Sequence, residues 1–504
     1  GPALKQDYPE VEEYVRFVGA GRTLFKYEQK EIFEEEVYIV DSTVFDMFTF
    51  EWVYGNGNGS LDKPSTAVLA QSVATKFFGN TDPVGKRIKT EAGEEYEITG
   101  VYADMPKQSH IIANVMFSGT GFDFMRRTDG WGGFSIYTYV LLHNGVAGET
   151  FSAKLPEVVE KYVAVIFAQF DISVEYTLLP ITDIHLKSDF QGEPQPTGNM
   201  SYIYIFAAIG LFMILIACIN YMNLATARAA SRAREIGIRK VMGSYRSHLI
   251  GQFLAESTLT ALISFSLALI LVFTLLPLVN TWLEVPLSAM ALAQPKVLLS
   301  MFGIFLIVAL VSGSYPAFFL SAMEPVKTLK GAVNRLGGHA TLRKSLVVLQ
   351  FAISLFMLVS TGIVFDQLNY LQKTDLGFTN DPVVRFGFPD EDAQGKWPVL
   401  EQKLEAIPQV MATSTSNASP GNGYGKLLWN VENNEGVMEQ KGVDNFSVDW
   451  DYIPTLEIDI VAGRNFDRNI RTDSFAAIIV NEAFVKRMSW DEPIGKRFQY
   501  GTED

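Results

Sequence analysis

The stretch Ile203-Tyr-Ile-Phe-Ala-Ala-Ile-Gly-Leu-Phe-Met-Ile-Leu-Ile-Ala-Cys-Ile-Asn-Tyr-Met-Asn-Leu224 carries no Asp, Glu, Lys or Arg. A helix needs about 20 consecutive apolar residues to cross the hydrocarbon core of a bilayer. Three further stretches, 258–279, 297–320 and 345–365, meet the same requirement without a charge. Buried helices of water-soluble proteins rarely need apolar runs of this length, so the sequence predicts four membrane spans.

Outside the spans the charge is strongly divided. Residues 1–195 hold 16 Lys/Arg against 29 Asp/Glu, residues 196–368 hold 12 against 5, and residues 369–504 hold 13 against 22. The overall net charge of −15 therefore hides a basic middle. Acidic flanks do not suit nucleic acid, which requires a basic face. Basic residues mark the cytoplasmic loops of membrane proteins. Arg228, Arg232, Arg234, Arg239, Lys240 and Arg246 follow the first span, and Lys327, Lys330, Arg335, Arg343 and Lys344 follow the third. Residues 280–296, between the second and third spans, offer only Lys296. Loops 225–257 and 321–344 are thus expected in the cytoplasm, and both large flanks outside it. The polar residues inside the spans (Asn220, Asn223, Ser312 and Ser314) read as packing residues, and no mid-membrane charge suggests an ion-coupled carrier.

The flanks share a repeat. Ala67 opens a segment ending Pro83-Val-Gly-Lys-Arg-Ile88, and Ala477 opens one ending Pro493-Ile-Gly-Lys-Arg-Phe498, with the same Ala-to-Pro spacing. Each copy reads as a short strand, an amphipathic helix, a Pro-Gly turn and a second strand, and 40–46 and 448–452 read as the element before it. The two flanks are therefore expected to be one α+β module used twice. Neither Gly-Lys pair makes a phosphate loop, which requires Gly-x4-Gly-Lys-Ser/Thr. The glycine upstream of Gly85-Lys86 stands one place too early, at Gly79, and Arg87 replaces the hydroxyl residue.

Enzymatic chemistry finds no support. Cys218 is the sole cysteine and lies within an apolar run, so no disulfide framework is available. His110, His143, His185, His248 and His339 are scattered without metal-ligand spacing. No catalytic residue, metal site or cofactor is expected.

The residues after the first span are the most specific. Arg234-Glu-Ile-Gly-Ile-Arg-Lys-Val-Met-Gly-Ser244 joins an apolar stripe to flanking arginines, as a membrane-surface helix or a docking helix for a cytoplasmic partner would. This segment resembles the loop signature of FtsX-like permeases, the membrane subunits of MacB-type ABC transporters. Tyr315-Pro-Ala317 with Glu324-Pro-Val326, Leu342-Arg-Lys344, Gln350-Phe351 and the duplicated Pro-x-Gly-Lys-Arg segment are similar to other parts of the same family. The doubled form resembles permeases of Bacteroidetes-type bacteria, and by that likeness the chain reads as a fragment cut at both ends.

The resemblance implies a multi-domain membrane protein: a four-helix transmembrane bundle (199–368) between two α+β MacB-like periplasmic core domains (1–198 and 369–504). It implies an inner-membrane permease subunit that couples ATP hydrolysis by a separate cytoplasmic ABC ATPase to periplasmic work or export. A periplasmic membrane-fusion or envelope partner would complete such a system, and a sensor or scaffold for envelope enzymes is the alternative. The implied ATPase-docking residues are Arg234, Glu235, Ile236, Gly237, Ile238, Arg239 and Gly243. Arg234, Glu235 and Arg239 would make charged contacts, Ile236 and Ile238 an apolar knob, and the glycines a turn or close approach.

Overall fold

The computed structural model describes residues 1–500 apart from 128–129, 132, 168–172, 191, 284–286, 323–336, 380–382, 389–390, 419 and 422–424. Two compact units result: Gly1–Gly198 with Asp375–Asp504, and Asn199–Thr374.

In the first unit, eight strands form one sheet: β1 (Val11–Tyr27), β2 (Lys30–Val40), β3 (Trp52–Gly55), β4 (Thr66–Ala70), β5 (Arg87–Thr90), β6 (Glu95–Tyr102), β7 (Val115–Ser118) and β8 (Ile136–Leu142). The pairings β1–β2–β7–β4–β6–β5–β1 close into a ring. The long β1 makes this possible. One edge pairs with β2 from Phe17 to Tyr27, while the other is shared between β8, from Val11 to Val18, and β5, at Phe25 and Lys26.

β4 is flanked by β6 and β7, and all five of its residues are buried, as expected for an apolar run with neighbours on both sides. It leads into α1 (Gln71–Phe78), whose Val73, Ala74, Phe77 and Phe78 face the core. The Asp104 carboxylate accepts from the Ser72 N–H at 3.0 Å and so caps the helix start. Gly79 ends it at φ +64, where a residue with a Cβ is strained. The Pro83–Lys86 turn then delivers β5 to close the ring.

The second copy of the repeat keeps part of this geometry. Helix α6 (Glu482–Met488), capped by Asn481, ends at Ser489 with φ +52, the position of Gly79 in the first copy. Gly495 matches Gly85, at φ +89 and +83, and Lys496 N–H approaches the Pro493 carbonyl as Lys86 does that of Pro83. Strand β11 (Phe498–Tyr500) then pairs with β9 (Gly425–Glu432), itself in a hairpin with β10 (Met438–Asn445). Trp490 is buried against Phe484 and Phe498 and donates to the Glu432 carbonyl at 2.9 Å. The copies differ before the helix: residues 477–480 are extended without a ladder, and Ile478 and Ile479 are exposed where Val68 and Leu69 are buried. The Gly-Lys pairs are structural, since Lys86 lies over the Phe78 ring and Lys496 donates to the Asn433 carbonyl.

The second unit consists mainly of four long helices: α2 (Met200–Val241), α3 (Arg246–Leu283), α4 (Pro295–Ala322) and α5 (Gly337–Lys373). Each contains a segment long and apolar enough to cross a membrane. These segments take in the expected spans to within two residues. They expose many Leu, Ile and Phe side chains, as helices in an apolar surrounding do. α4 packs on α2 and α3, and α5 on α2, where the Phe212 and Phe356 rings meet. Small residues bring α3 and α4 together, with Ala309, Gly313 and Ala317 recurring every fourth place on α4. Ser312 and Ser314 donate to the carbonyls of Ala309 and Val311, as the packing reading requires.

The segment 225–257, expected as the first cytoplasmic loop, is largely helical. α2 runs unbroken from the first span to Val241, and only Met242–Tyr245 separates it from α3. The basic segment is therefore a continuation of the span and not a separate surface helix. Most of the expected loop 321–344 lies outside the described residues.

Candidate docking site at the helical hairpin

α2 and α3 form a hairpin, and the residues expected to dock a partner lie in the last turns of α2 and in the turn that follows. Met242 N–H donates to the Ile238 carbonyl, Gly243 N–H to Lys240 and Ser244 N–H to Arg239. Gly243 has φ +97, so the turn requires a residue without a Cβ. The expected role of Gly243 as a turn residue matches this geometry.

Below the tip lies a small apolar core. Ile236 of α2, Leu249 and Phe253 of α3 and Ala317 of α4 are buried together, with Ile250 and Leu254 packed around them. Ile236 is only 4 % exposed. Ile236, expected as part of an apolar knob, is here packed where three helices meet, and Gly237 is buried beside it. Ile238, on the opposite side, is 50 % exposed. It is accompanied by Val241, Met242 and Tyr245, which are more exposed still. Together these four make an apolar tip, and the reading of the sequence missed Tyr245. Its signal was an aromatic residue two places after the turn glycine, in a segment otherwise basic and small.

Polar contacts fasten the hairpin to the end of α4. Lys240 Nζ donates to the Ser321 carbonyl at 2.7 Å, and Arg246 Nε reaches the Ser321 hydroxyl at 3.3 Å. A cation on a C-terminal carbonyl is favoured by the helix dipole. Partial burial, with the nearby Arg246 charge, lowers the Lys240 pKa from its ordinary value.

The charged residues expected to dock are arranged differently. Glu235 and Arg239 pair across one helical turn at 2.6 Å, and Arg239 also donates to Gln252 Oε1 at 2.9 Å. Both partners are about half exposed, so the pair contributes only about 0.3–0.5 kcal/mol. Exchanging it for contacts to another protein therefore costs little. The Arg234 side chain lies outside the described residues, though its backbone is helical. Among the described residues, no group of His, Cys, Asp and Glu is placed to hold a metal.

With this geometry in hand, comparison with known proteins adds two domain matches. Residues 1–158 match the MacB-like periplasmic core domain, and residues 207–325 match the FtsX-like permease C-terminal domain. Relatives include the macrolide export ATP-binding/permease protein MacB of Bdellovibrio bacteriovorus, 32 % identical over 25 % of this chain and 19 % of that protein. The MacB of Rhodopirellula baltica is 24 % identical over 54 % of this chain and 41 % of that protein. In both, less than half of the relative's length is matched. Among solved structures, the periplasmic region of MacB from Actinobacillus actinomycetemcomitans is 14 % identical at a TM-score of 0.26, covering 32 % of this chain and 71 % of that one.

Proposed function

The chain belongs among the FtsX/MacB-like ABC permeases, and from that premise we propose that its helical hairpin receives a separate cytoplasmic ABC ATPase and passes that enzyme's motion to periplasmic domains. The supporting observation is the hairpin itself: an exposed apolar tip (Ile238, Val241, Met242 and Tyr245) on a stem fixed to three helices.

In this reading the protein is a multi-pass protein of the inner membrane. The basic hairpin lies in the cytoplasm, following the Lys/Arg asymmetry of the loops. Residues 1–198 and 369–504 lie in the periplasm as two core domains of one ancestry, a duplication supported by the recurring helix, turn and strand. The exposed side chains Ile238, Val241, Met242 and Tyr245 enter an apolar cleft on the ATPase. Arg239 and Glu235 open their mutual pair to meet charges at its rim. A displacement of the tip does not bend the hairpin alone, because the Ile236 core and the Ser321 contacts tie it to α4. α2, at a rise of about 1.5 Å per residue, carries that displacement over about 60 Å toward the opposite face. The work is done in the periplasm, on export or on an envelope partner, and needs no charged path through the membrane.

Met242→Asp tests this reading, since Met242 is the most exposed residue of the tip and its loss spares the stem. The expected result is a drop of about tenfold or more in affinity for the ATPase, the cost of one anchor residue worth at least about 1.4 kcal/mol. Arg239→Glu is expected to act in the same direction. Wild-type capture and stimulation of the ATPase by both variants would refute the proposal.

A further inference from the structure

The opposite end of the helical unit contains a feature that ATPase docking does not use. Phe265, Leu269 and Phe273 of α3 face Leu298, Met301 and Phe302 of α4 across a cavity of about 230 Å³, with Leu292 and Ala293 at its rim. Every lining residue is apolar. In the chain before this rim, the Asn280 side chain both donates to the Leu287 carbonyl, at 2.9 Å, and accepts from the Leu287 N–H, at 3.2 Å. Ser288 then caps the turn Ala289–Leu292 through the Met290 N–H.

We propose that this cavity is a binding site for one phospholipid of the periplasmic leaflet, with an acyl chain along α3 and α4 and the phosphate at Lys296. Three observations favour that occupant. From Phe265 to Phe273 the cavity follows α3 for eight residues, about 12 Å of helix, close to the roughly 15 Å depth of one leaflet. Its lining offers no hydrogen-bond partner to a polar solute. Lys296 is the only Lys or Arg between the second and third spans, is exposed, and lies in the sequence between the lining residues Ala293 and Leu298. A cation beside an apolar slot complements an anionic head on an apolar tail. The inference rests on the membrane topology proposed above and is independent of any ATPase.

The test counts phospholipid retained by the intact protein, purified from vesicles of phosphatidylethanolamine and phosphatidylglycerol and read by native mass spectrometry. Wild type is expected to retain one phospholipid per chain. Ala293→Trp, which fills the mouth, is expected to lower retention about tenfold, as the loss of two buried methylenes would. Lys296→Glu is expected to favour phosphatidylethanolamine over phosphatidylglycerol. As a measurement that needs no variant, a phospholipid with a photoreactive acyl chain is expected to label residues 265–273 and 292–302 of wild type preferentially. Even labelling of all four helices, or full retention by Ala293→Trp, would overturn the site. A headgroup preference unchanged by Lys296→Glu would overturn the placement of the phosphate at Lys296, and with it the phospholipid orientation proposed here. Absence of ATPase stimulation by the wild-type protein, with its retention of phospholipid unchanged, would count against the docking proposal alone.

Discussion

Gly313 offers the sharpest test of how the helices are held. A Cβ built at this position would stand 2.8 Å from Ser257 Cβ, 3.0 Å from Ser257 Oγ and 3.3 Å from Leu254 Cδ2. The first distance is below any ordinary contact, and it lies against a side chain too short to swing away. Gly313→Val must therefore push α3 and α4 apart at the point where Ala309 and Ala317, four residues to either side, are 2 % and 0 % exposed. Overpacking of this kind costs about 1–3 kcal/mol. Ser257→Gly withdraws both offending atoms but gives up the hydroxyl contact to Tyr221 at 3.1 Å, itself worth about 0.5–1.5 kcal/mol. Combined, the two changes should be less damaging than their sum by about 1 kcal/mol or more. Ser257→Ala, which keeps the Cβ, should relieve Gly313→Val less. The measurement is the unfolding midpoint of each purified variant in micelles of increasing denaturing-detergent content. Strict additivity, or an unchanged midpoint for Gly313→Val, would refute the crossing described here.

Two further outcomes follow from the polar contacts. Lys240→Met keeps the apolar stem while removing the donor to Ser321, and is expected to cost about 1–2 kcal/mol in the same assay, the lower part of the range for a charged hydrogen bond because the group is half-buried. In the C-terminal region, Arg464 bonds both oxygens of Asp473 and, with help from the Asp467 N–H, holds its pKa down at about 2. The unfolded chain then takes up this proton first as pH falls, so the contribution is complete above the ordinary carboxylate value near 4 and is lost between there and about 2. Acid titration followed by tryptophan fluorescence should show Asp473→Asn losing the part of the slope that falls in this window.

The spans were the most readable part of the sequence, because hydrocarbon thickness imposes one length and excludes charge whatever the packing. The repeat was readable for a related reason: the turns at Gly85 and Gly495 both use positive φ, and the Pro-x-Gly-Lys pattern suits that backbone in both flanks. Ring closure in the sheet was not readable, since it rests on two residue pairs between β1 and β5 that carry no periodic signal. At the hairpin, sequence located the right segment but not its faces. Ile236 and Ile238 are equally apolar and two places apart, and it is the packing of Leu249, Phe253 and the distant Ala317 that makes one core and the other tip. The Lys240–Ser321 contact joins residues 81 positions apart, beyond the reach of local pattern.

The ring in the first unit has a mechanical consequence. A sheet with free borders can be peeled one hydrogen bond at a time when its end is pulled. In β1, β2, β7, β4, β6 and β5 every strand is gripped from both sides, so a tug along any of them loads many hydrogen bonds in shear at once. The weakest grip is the two-residue contact of β5 with β1, and the repeated Pro-Val-Gly-Lys-Arg segment is what positions β5 there. The motif that first betrayed the repeat thus serves as the clasp of a hoop, and the force at which that hoop opens should be set by Lys89 and Thr90 pairing with Lys26 and Phe25.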